Sequence, residues 1–234
     1  VNSKVHFNDG DVIMAEFLES NVDVDITTSP VIEVKQRFSI NNGKISMSEG
    51  DIILHHSCEI DYGLTNYFHT KGLGNLIIHK NPAIDMFFPL GDVNTINPVE
   101  IGDANEGEIF AVRSDNEPIF PDTHSTSYPS HPSNYDFKWQ MKYLKGNAHP
   151  VDLSFIYPHT MLKPGLSLSN IKLFYKEETA SDSVVFNSSV TEPWSENPDF
   201  FITSAAGFNL PPNTPYVFYI STEEDISHLE MESG

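Results

Sequence analysis

The segment His55-His56-Ser57-Cys58-Glu59 holds the densest group of potential metal ligands in the sequence. If this segment is a strand, His56 and Cys58 face one side, and His55 and Ser57 face the other. Two soft ligands on one face, completed by a third from elsewhere, would hold zinc or copper. The competing interpretation, which we favour, is a strand that buries Cys58 as a small apolar residue and exposes its histidines.

A second candidate metal site is the Gly-bounded acidic turn at residues 102–108. Its side-chain oxygens belong to Asp103, Asn105, Glu106 and Glu108. Calcium takes about six to eight oxygen ligands, which such a turn supplies from side chains and carbonyl groups. The turn does not match the EF-hand pattern, and the alternative is a solvated acidic loop. We therefore predict either calcium at these four residues or no cofactor.

Aromatic side chains make up 12% of the sequence and suggest a carbohydrate-binding surface. Trp194 lies in the polar, Pro-flanked run Glu-Pro-Trp-Ser-Glu-Asn-Pro, so we predict that its indole is exposed and stacks on a sugar ring. Trp139 alternates with Phe137 and Met141 on one strand face, which predicts a core position instead. Most large aromatic side chains belong to the core, so Trp194 is the one candidate for sugar contact.

Composition excludes several functions. The chain has 13 Lys and Arg against 33 Asp and Glu, a net charge of −20 over 234 residues. Such a surface repels nucleic-acid phosphates and anionic lipids. The single cysteine excludes an internal disulfide, and no run of apolar residues is long enough for a membrane-spanning helix. No Gly-x-Ser-x-Gly, phosphate-loop or His-Glu-x-x-His motif is found, so we predict a protein that is not an enzyme.

The elements that position these residues are predicted to be strands. Short alternating runs are separated by turn signals such as Asn41-Asn42-Gly43, and helical periodicity is nearly absent. We predict an all-β chain with two parts: a strand-turn, solenoid-like segment at residues 1–90, and an antiparallel β-sandwich with an acidic tail at residues 91–234. Residues 115–134 form a long Pro-rich loop that contains His124 and His131, which we interpret as chance histidines.

Several segments of the sequence follow one another in an order that is found in a known protein family. Residues 38–54 (Phe-Ser-Ile-Asn-Asn-Gly-Lys-Ile-Ser-Met-Ser-Glu-Gly-Asp-Ile-Ile-Leu) resemble an "nGtl-l-gntLtl" segment, and residues 66–76 take the place of a Gly-rich "sYv-t-G-G-l-r" segment. Residues 88–101 match an "FPiGt---y-Pv-i" box and residues 109–113 the strand after it. Trp139 and residues 151–156 are candidates for the final strands. This order resembles large surface proteins of the Bacteroidetes over residues 38–157.

The resemblance implies export by the type IX secretion route and display at the cell surface, often in adhesion or gliding. The sequence begins without a signal peptide, so we expect either a cytosolic chain or a mature or excised part of an exported protein. Taken together, we predict a non-enzymatic, extracellular structural or adhesive module, and as the alternative a carbohydrate-binding module. The expected partner is a surface glycan or another surface protein, without nucleic-acid binding or membrane insertion.

Overall fold

The computed structural model describes residues 3–5, 7–63, 66–70, 73–81, 85–91, 96–115, 138–161, 167–180 and 183–222. Strands account for 62% of the structure and helices for 3%, which confirms the all-β prediction. Among the described residues, no helix is long and apolar enough to cross a membrane. His124 and His131 of the predicted Pro-rich loop lie outside the described residues.

Apart from β10, the first eleven strands belong to two stacked layers. They are β1 (Ser3–Val5), β2 (Val12–Ser20), β3 (Val24–Ile26), β4 (Val31–Ile40), β5 (Lys44–Met47), β6 (Asp51–Leu54), β7 (Glu59–Asp61), β8 (Tyr67–Thr70), β9 (Asn75–His79), β10 (Met86–Phe88) and β11 (Leu90–Gly91). Sheet A has the parallel order β1-β3-β5-β8-β11, and the parallel strands β2-β4-β6-β9 begin sheet B, with β7 also pairing with β4. This stacking forms a solenoid of about three turns, as predicted.

The solenoid interior is built by apolar residues that repeat at the same register. Ile32, Ile52 and Leu76 are neighbours on β4, β6 and β9, and all three are buried. Period-2 alternation sends these side chains inward and their neighbours outward. The turns between strands hold Gly43, in the predicted Asn41-Asn42-Gly43 turn, and Gly50, both at positive φ. Each rung therefore buries its apolar side only because the next rung covers it.

The remaining strands form an antiparallel sandwich. They are β12 (Val99–Gly102), β13 (Ile109–Asp115), β14 (Lys138–Lys145), β15 (Pro150–Pro158), β16 (Ile171–Glu177), β17 (Val184–Phe186), β18 (Val190–Pro193), β19 (Phe200–Asn209) and β20 (Pro215–Thr222), with two 3-10 helices at His159–Met161 and Leu168–Asn170. Sheet C has the order β10-β12-β15-β19-β18. It faces the second half of sheet B, in the order β13-β14-β20-β16-β17.

Hydrogen bonding continues from the solenoid into the sandwich. Strand β9 of the solenoid pairs antiparallel with β13, so sheet B runs through ten strands. The predicted division between residues 90 and 91 falls inside β11. One hydrophobic core includes residues of both parts, for example Ile52 and Phe155. Trp139 lies in it as predicted, 1% exposed, and its Nε1–H donates to the Asn97 carbonyl at 2.9 Å.

Strand β2 forms the outer edge of the solenoid half of sheet B. Within the described strands it pairs with β4 alone, so its other side offers unpaired backbone groups. Three large apolar side chains point outward from it: Val12 is 65% exposed, Met14 63% and Phe17 59%. The inward positions Ile13 and Leu18 pack against the core. The outer side of this rung thus mixes exposed apolar side chains with Glu16 and Glu19, whereas the terminal rung of a solenoid ordinarily has a polar outer face.

Candidate ligand-binding face

A row of polar and aromatic side chains crosses the outer face of sheet C. Four residues stand opposite one another on adjacent strands: Phe87 on β10, Glu100 on β12, Ser154 on β15 and Ser204 on β19. Their chain neighbours are buried, so alternation points the four side chains away from the core. All four are half-buried. We call these four residues the outer row.

Tyr62 completes the aromatic end of the outer row. It directly follows β7, in the segment that connects β7 to β8 in the third rung of the solenoid. Its ring stacks on Phe87 with centroids 4.3 Å apart and planes 8° from parallel. The solenoid thereby supplies one ring and sheet C the other, which fixes a half-buried apolar surface beside Glu100.

Three carboxylates lie around this aromatic pair, those of Glu100, Asp85 and Glu196. Burial raises the pKa of Glu100, and the charges of Asp85 and Glu196 raise it further. Burial also raises the pKa of Tyr62 to about 12, helped by Glu196 and Glu100. Among the ion pairs formed by described residues, none includes Glu100, Asp85 or Glu196. The face therefore carries concentrated negative charge next to two aromatic rings.

Hydroxyl groups occupy the other end of the outer row. The Oγ atoms of Ser154 and Ser204 are 3.0 Å apart and share a hydrogen bond. Each hydroxyl keeps further donor or acceptor capacity, since a serine oxygen has one proton and two lone pairs. Along the outer row, the aromatic surface at Phe87 is followed by the Glu100 carboxylate and then by the hydroxyls of Ser154 and Ser204. This arrangement suits a ligand rich in hydroxyl groups.

A small pocket adjoins the aromatic end. Its lining includes His55, His56, His79, Cys58 and Asp85, together with Phe87. The space is about 20 Å³, enough for one water molecule. Burial lowers the pKa of His79, and the nearby His55 and His56 lower it further. These surroundings favour the neutral form of the His79 ring, which makes it a poor countercharge for the carboxylates.

The strand predicted at residues 55–59 is a turn over residues 55–58 instead, and Glu59 begins β7. After β6 ends at Leu54, the N–H of Cys58 donates to the carbonyl of His55 at 2.8 Å, so strand alternation does not apply. Cys58 is buried as the favoured interpretation expected, and burial raises the pKa of its thiol to about 11. Across the described residues, no three His, Cys, Asp or Glu side chains are placed to hold a metal ion.

The predicted calcium turn separates into exposed and buried members. Asp103, Asn105 and Glu106 are exposed, whereas Glu108 is 3% exposed and points inward. The Glu108 carboxylate accepts hydrogen bonds from the Tyr143 hydroxyl at 2.6 Å and the Asn105 N–H at 2.7 Å. His149 Nε2 lies 2.8 Å from it. Glu108 is thus already fully engaged within the protein, and calcium binding stays a prediction for the turn.

The predicted exposure of Trp194 is wrong. Its indole is only 7% exposed and meets Phe200 edge-on at 6.1 Å between centroids. The backbone N–H of Trp194 donates to the backbone carbonyl of Phe200. The tight turn after β18 thereby packs the indole ring against the β18–β19 hairpin. The polarity of the neighbouring residues could not reveal that this turn closes over the ring.

The aromatic pair of the outer row was not predicted from the sequence. Because Phe87 and Phe88 are adjacent on one strand, one of their rings must face outward.

No family model matches this chain, and no curated protein or solved structure matches it either.

Proposed function

We propose that this chain is a non-enzymatic adhesive or structural module of an extracellular bacterial surface protein. The observation that carries the proposal is the continuity of sheet B through both parts of the molecule. A hydrogen-bonded sheet over a common core resists separation of its parts, which is what a load-bearing module requires. The resemblance described above suggests the surface location.

Antibody labelling of cells of the source organism tests this proposal. We expect intact and permeabilised cells to bind an antibody against the chain equally, and monovalent fragments of that antibody to reduce attachment of the cells to a surface. An antibody against a cytosolic protein is the control and labels only permeabilised cells. Labelling of this chain only after permeabilisation would refute the proposal.

Carbohydrate binding is a second candidate, favoured by the outer row. The Tyr62–Phe87 pair offers an apolar surface to the C–H face of a sugar ring. Glu100 accepts hydrogen bonds from sugar hydroxyls, and Ser154 and Ser204 donate or accept them. Strands lie about 4.8 Å apart, so the row extends over roughly 14 Å. That length matches a short oligosaccharide better than a single sugar.

A glycan array tests the second candidate with a matched pair of variants. Phe87→Ala removes the aromatic surface of the outer row, and we expect it to abolish binding to the glycans that the unmodified protein retains. Phe17→Ala removes an exposed phenyl ring from the far edge of sheet B and should leave binding unchanged. An array blank for the unmodified protein, or equal loss with both variants, would exclude the outer row as a sugar site.

A further inference from the structure

We infer that the outer row of sheet C selects a sugar that carries a free ammonium group, such as a hexosamine unit without its N-acetyl group. This inference rests on the carbohydrate-binding candidate above and names its ligand. It depends on the placement of Glu100 directly opposite Phe87, with Tyr62 stacked on that ring.

Charge complementarity separates this ligand from neutral and acidic sugars. Glu100 is half-buried, and its raised pKa reflects burial together with the charges of Asp85 and Glu196. A neutral sugar would bury Glu100 further without a countercharge, which is costly. A uronic or sulfated sugar would add another negative charge. An ammonium group supplies the missing positive charge and forms a charge-assisted hydrogen bond.

The aromatic pair favours the same ligand. The π face of a tyrosine or phenylalanine ring attracts a cation that lies within about 6 Å of its centroid. An amino sugar presents both an apolar ring face and a cation, so one unit satisfies the aromatic pair and the carboxylate together. Adjacent units of the oligosaccharide then reach Ser154 and Ser204 through their hydroxyls.

A lysine-rich peptide also carries ammonium groups, but it fits the row less well. Its aliphatic chain has no hydroxyls for the serine end of the outer row. The structure therefore favours the sugar, and the peptide becomes a separate outcome of the test.

Calorimetric titration with three matched probes tests the inference. The probes are a glucosamine pentamer, an N-acetylglucosamine pentamer and pentalysine, at about pH 6, where amines are protonated, and at about 0.15 M salt. We expect the glucosamine pentamer to bind at least about tenfold tighter than the acetylated one, as a charge-assisted hydrogen bond implies.

Two single-charge variants give the control. Glu100→Gln should reduce the preference for the glucosamine pentamer to within about twofold. Glu106→Gln removes the same charge from the exposed 102–108 turn and should leave the preference intact. Because the raised pKa of Glu100 shows that its charge is disfavoured where it lies, Glu100→Gln should fold normally, which thermal melting checks.

The outcomes separate the inference from the function on which it rests. Equal affinity for the two pentamers would overturn the ammonium preference and leave carbohydrate binding standing. Failure of both pentamers to bind would overturn the inference, and only a blank glycan array as well would overturn carbohydrate binding. Pentalysine binding as tightly as the glucosamine pentamer, with the same loss in Glu100→Gln, would replace the sugar by a peptide and overturn the inference.

Discussion

Glu108 shows how a single buried carboxylate changes the chemistry of a loop. Burial alone would raise its pKa, but hydrogen bonds from Tyr143, His149 and Asn105 outweigh burial and lower it. The hydrogen bond to Glu108 in turn raises the pKa of His149. The raised pKa favours the protonated imidazole of His149 as the partner of the Glu108 carboxylate, at the end of the turn where the sequence predicted a calcium ion.

The stability that this pair provides should depend on pH. The raised pKa of His149 means that its contribution is complete below the ordinary value of 6.5 and is lost as pH rises through the higher folded value. The lowered pKa of Glu108 means that its contribution is complete above the ordinary value of 4.5 and is lost as pH falls through the lower folded value. We therefore expect His149→Gln to lower the free energy of unfolding by about 1–2 kcal/mol between those values, and by less above them.

Urea denaturation at several pH values measures this effect. The exposed His159 gives the control variant His159→Gln, whose unfolding free energy should follow that of the unmodified protein throughout. A pH-independent loss in His149→Gln would mean that the ring acts through packing and not through its charge.

Trp139 carries a second prediction. The centroids of its ring and the Phe155 ring are 4.9 Å apart, and its indole N–H donates a hydrogen bond to the carbonyl of Asn97. Trp139→Ala should lower the free energy of unfolding by about 3–5 kcal/mol because it leaves a large cavity. Trp139→Phe keeps much of the packing and loses the donor, so a smaller loss of about 1–3 kcal/mol is expected. An unchanged denaturation midpoint in Trp139→Ala would contradict the core position.

The two tryptophans show which burial states the sequence can predict and which it cannot. Trp139 was predicted correctly because alternation with Met141 is a local property of one strand. Trp194 was predicted wrongly because its burial depends on a turn that closes the β18–β19 hairpin. Tyr62 stacks on Phe87, beside Glu100, only because the third rung of the solenoid lies against sheet C. No spacing in the sequence predicts that contact.

At the scale of elements, the solenoid depends on tight turns between rungs. Gly50 has φ near +85°, and an added Cβ would overlap the carbonyl of Pro30 in the preceding rung. Gly107 has φ near +80°, but its Cβ would meet nothing within 4 Å. The two positions share the backbone strain and differ in the space available.

This difference predicts unequal costs for the same substitution. Gly107→Ala should cost about 1 kcal/mol of unfolding free energy, the strain of positive φ alone. Gly50→Ala should cost about 2–4 kcal/mol because the rungs must also move apart. Equal shifts of the urea midpoint in the two variants would show that the rungs do not restrict the turn.

Most strands could be predicted from alternation and turn residues. For example, the alternating apolar and polar residues at 171–176 lie within β16, and those at 150–157 within β15. The sheet order could not be predicted, since strand pairing depends on which apolar surfaces meet after collapse. In particular, the pairing of β9 with β13 joins the two predicted parts, and nothing in either strand marks it.

At the scale of the molecule, sheet B and the common core should make unfolding a single event. Ile52→Ala in the solenoid and Phe155→Ala in the sandwich should each shift far-ultraviolet circular dichroism and tryptophan fluorescence to the same lower midpoint. The unmodified protein is the reference, with coincident transitions. Two separated transitions, each moved by only one variant, would show that solenoid and sandwich unfold independently.

The net charge of −20 makes a separate prediction about ions. Carboxylates repel one another, and salt screens them over about 8–10 Å, so a few hundred millimolar sodium chloride should raise the melting temperature modestly. At matched ionic strength, we expect calcium bound by the exposed side chains of the 102–108 turn to raise the melting temperature further, and the double variant Asp103→Asn with Glu106→Gln to remove that rise. Equal melting curves with calcium and with a chelator would contradict the calcium site.

The side of β2 that pairs with no described strand has a consequence for the behaviour of the protein in solution. An unpaired strand edge is a template on which another chain can form a cross-molecular ladder, and Val12, Met14 and Phe17 lie exposed along that strand. At neutral pH the negative charge keeps copies apart. Near the isoelectric point of about 4.6 that repulsion vanishes while the edge remains. Precipitation in acid should therefore begin with association through β2. At neutral pH it is the charge repulsion of the acidic surface, and no feature of β2 itself, that prevents this association.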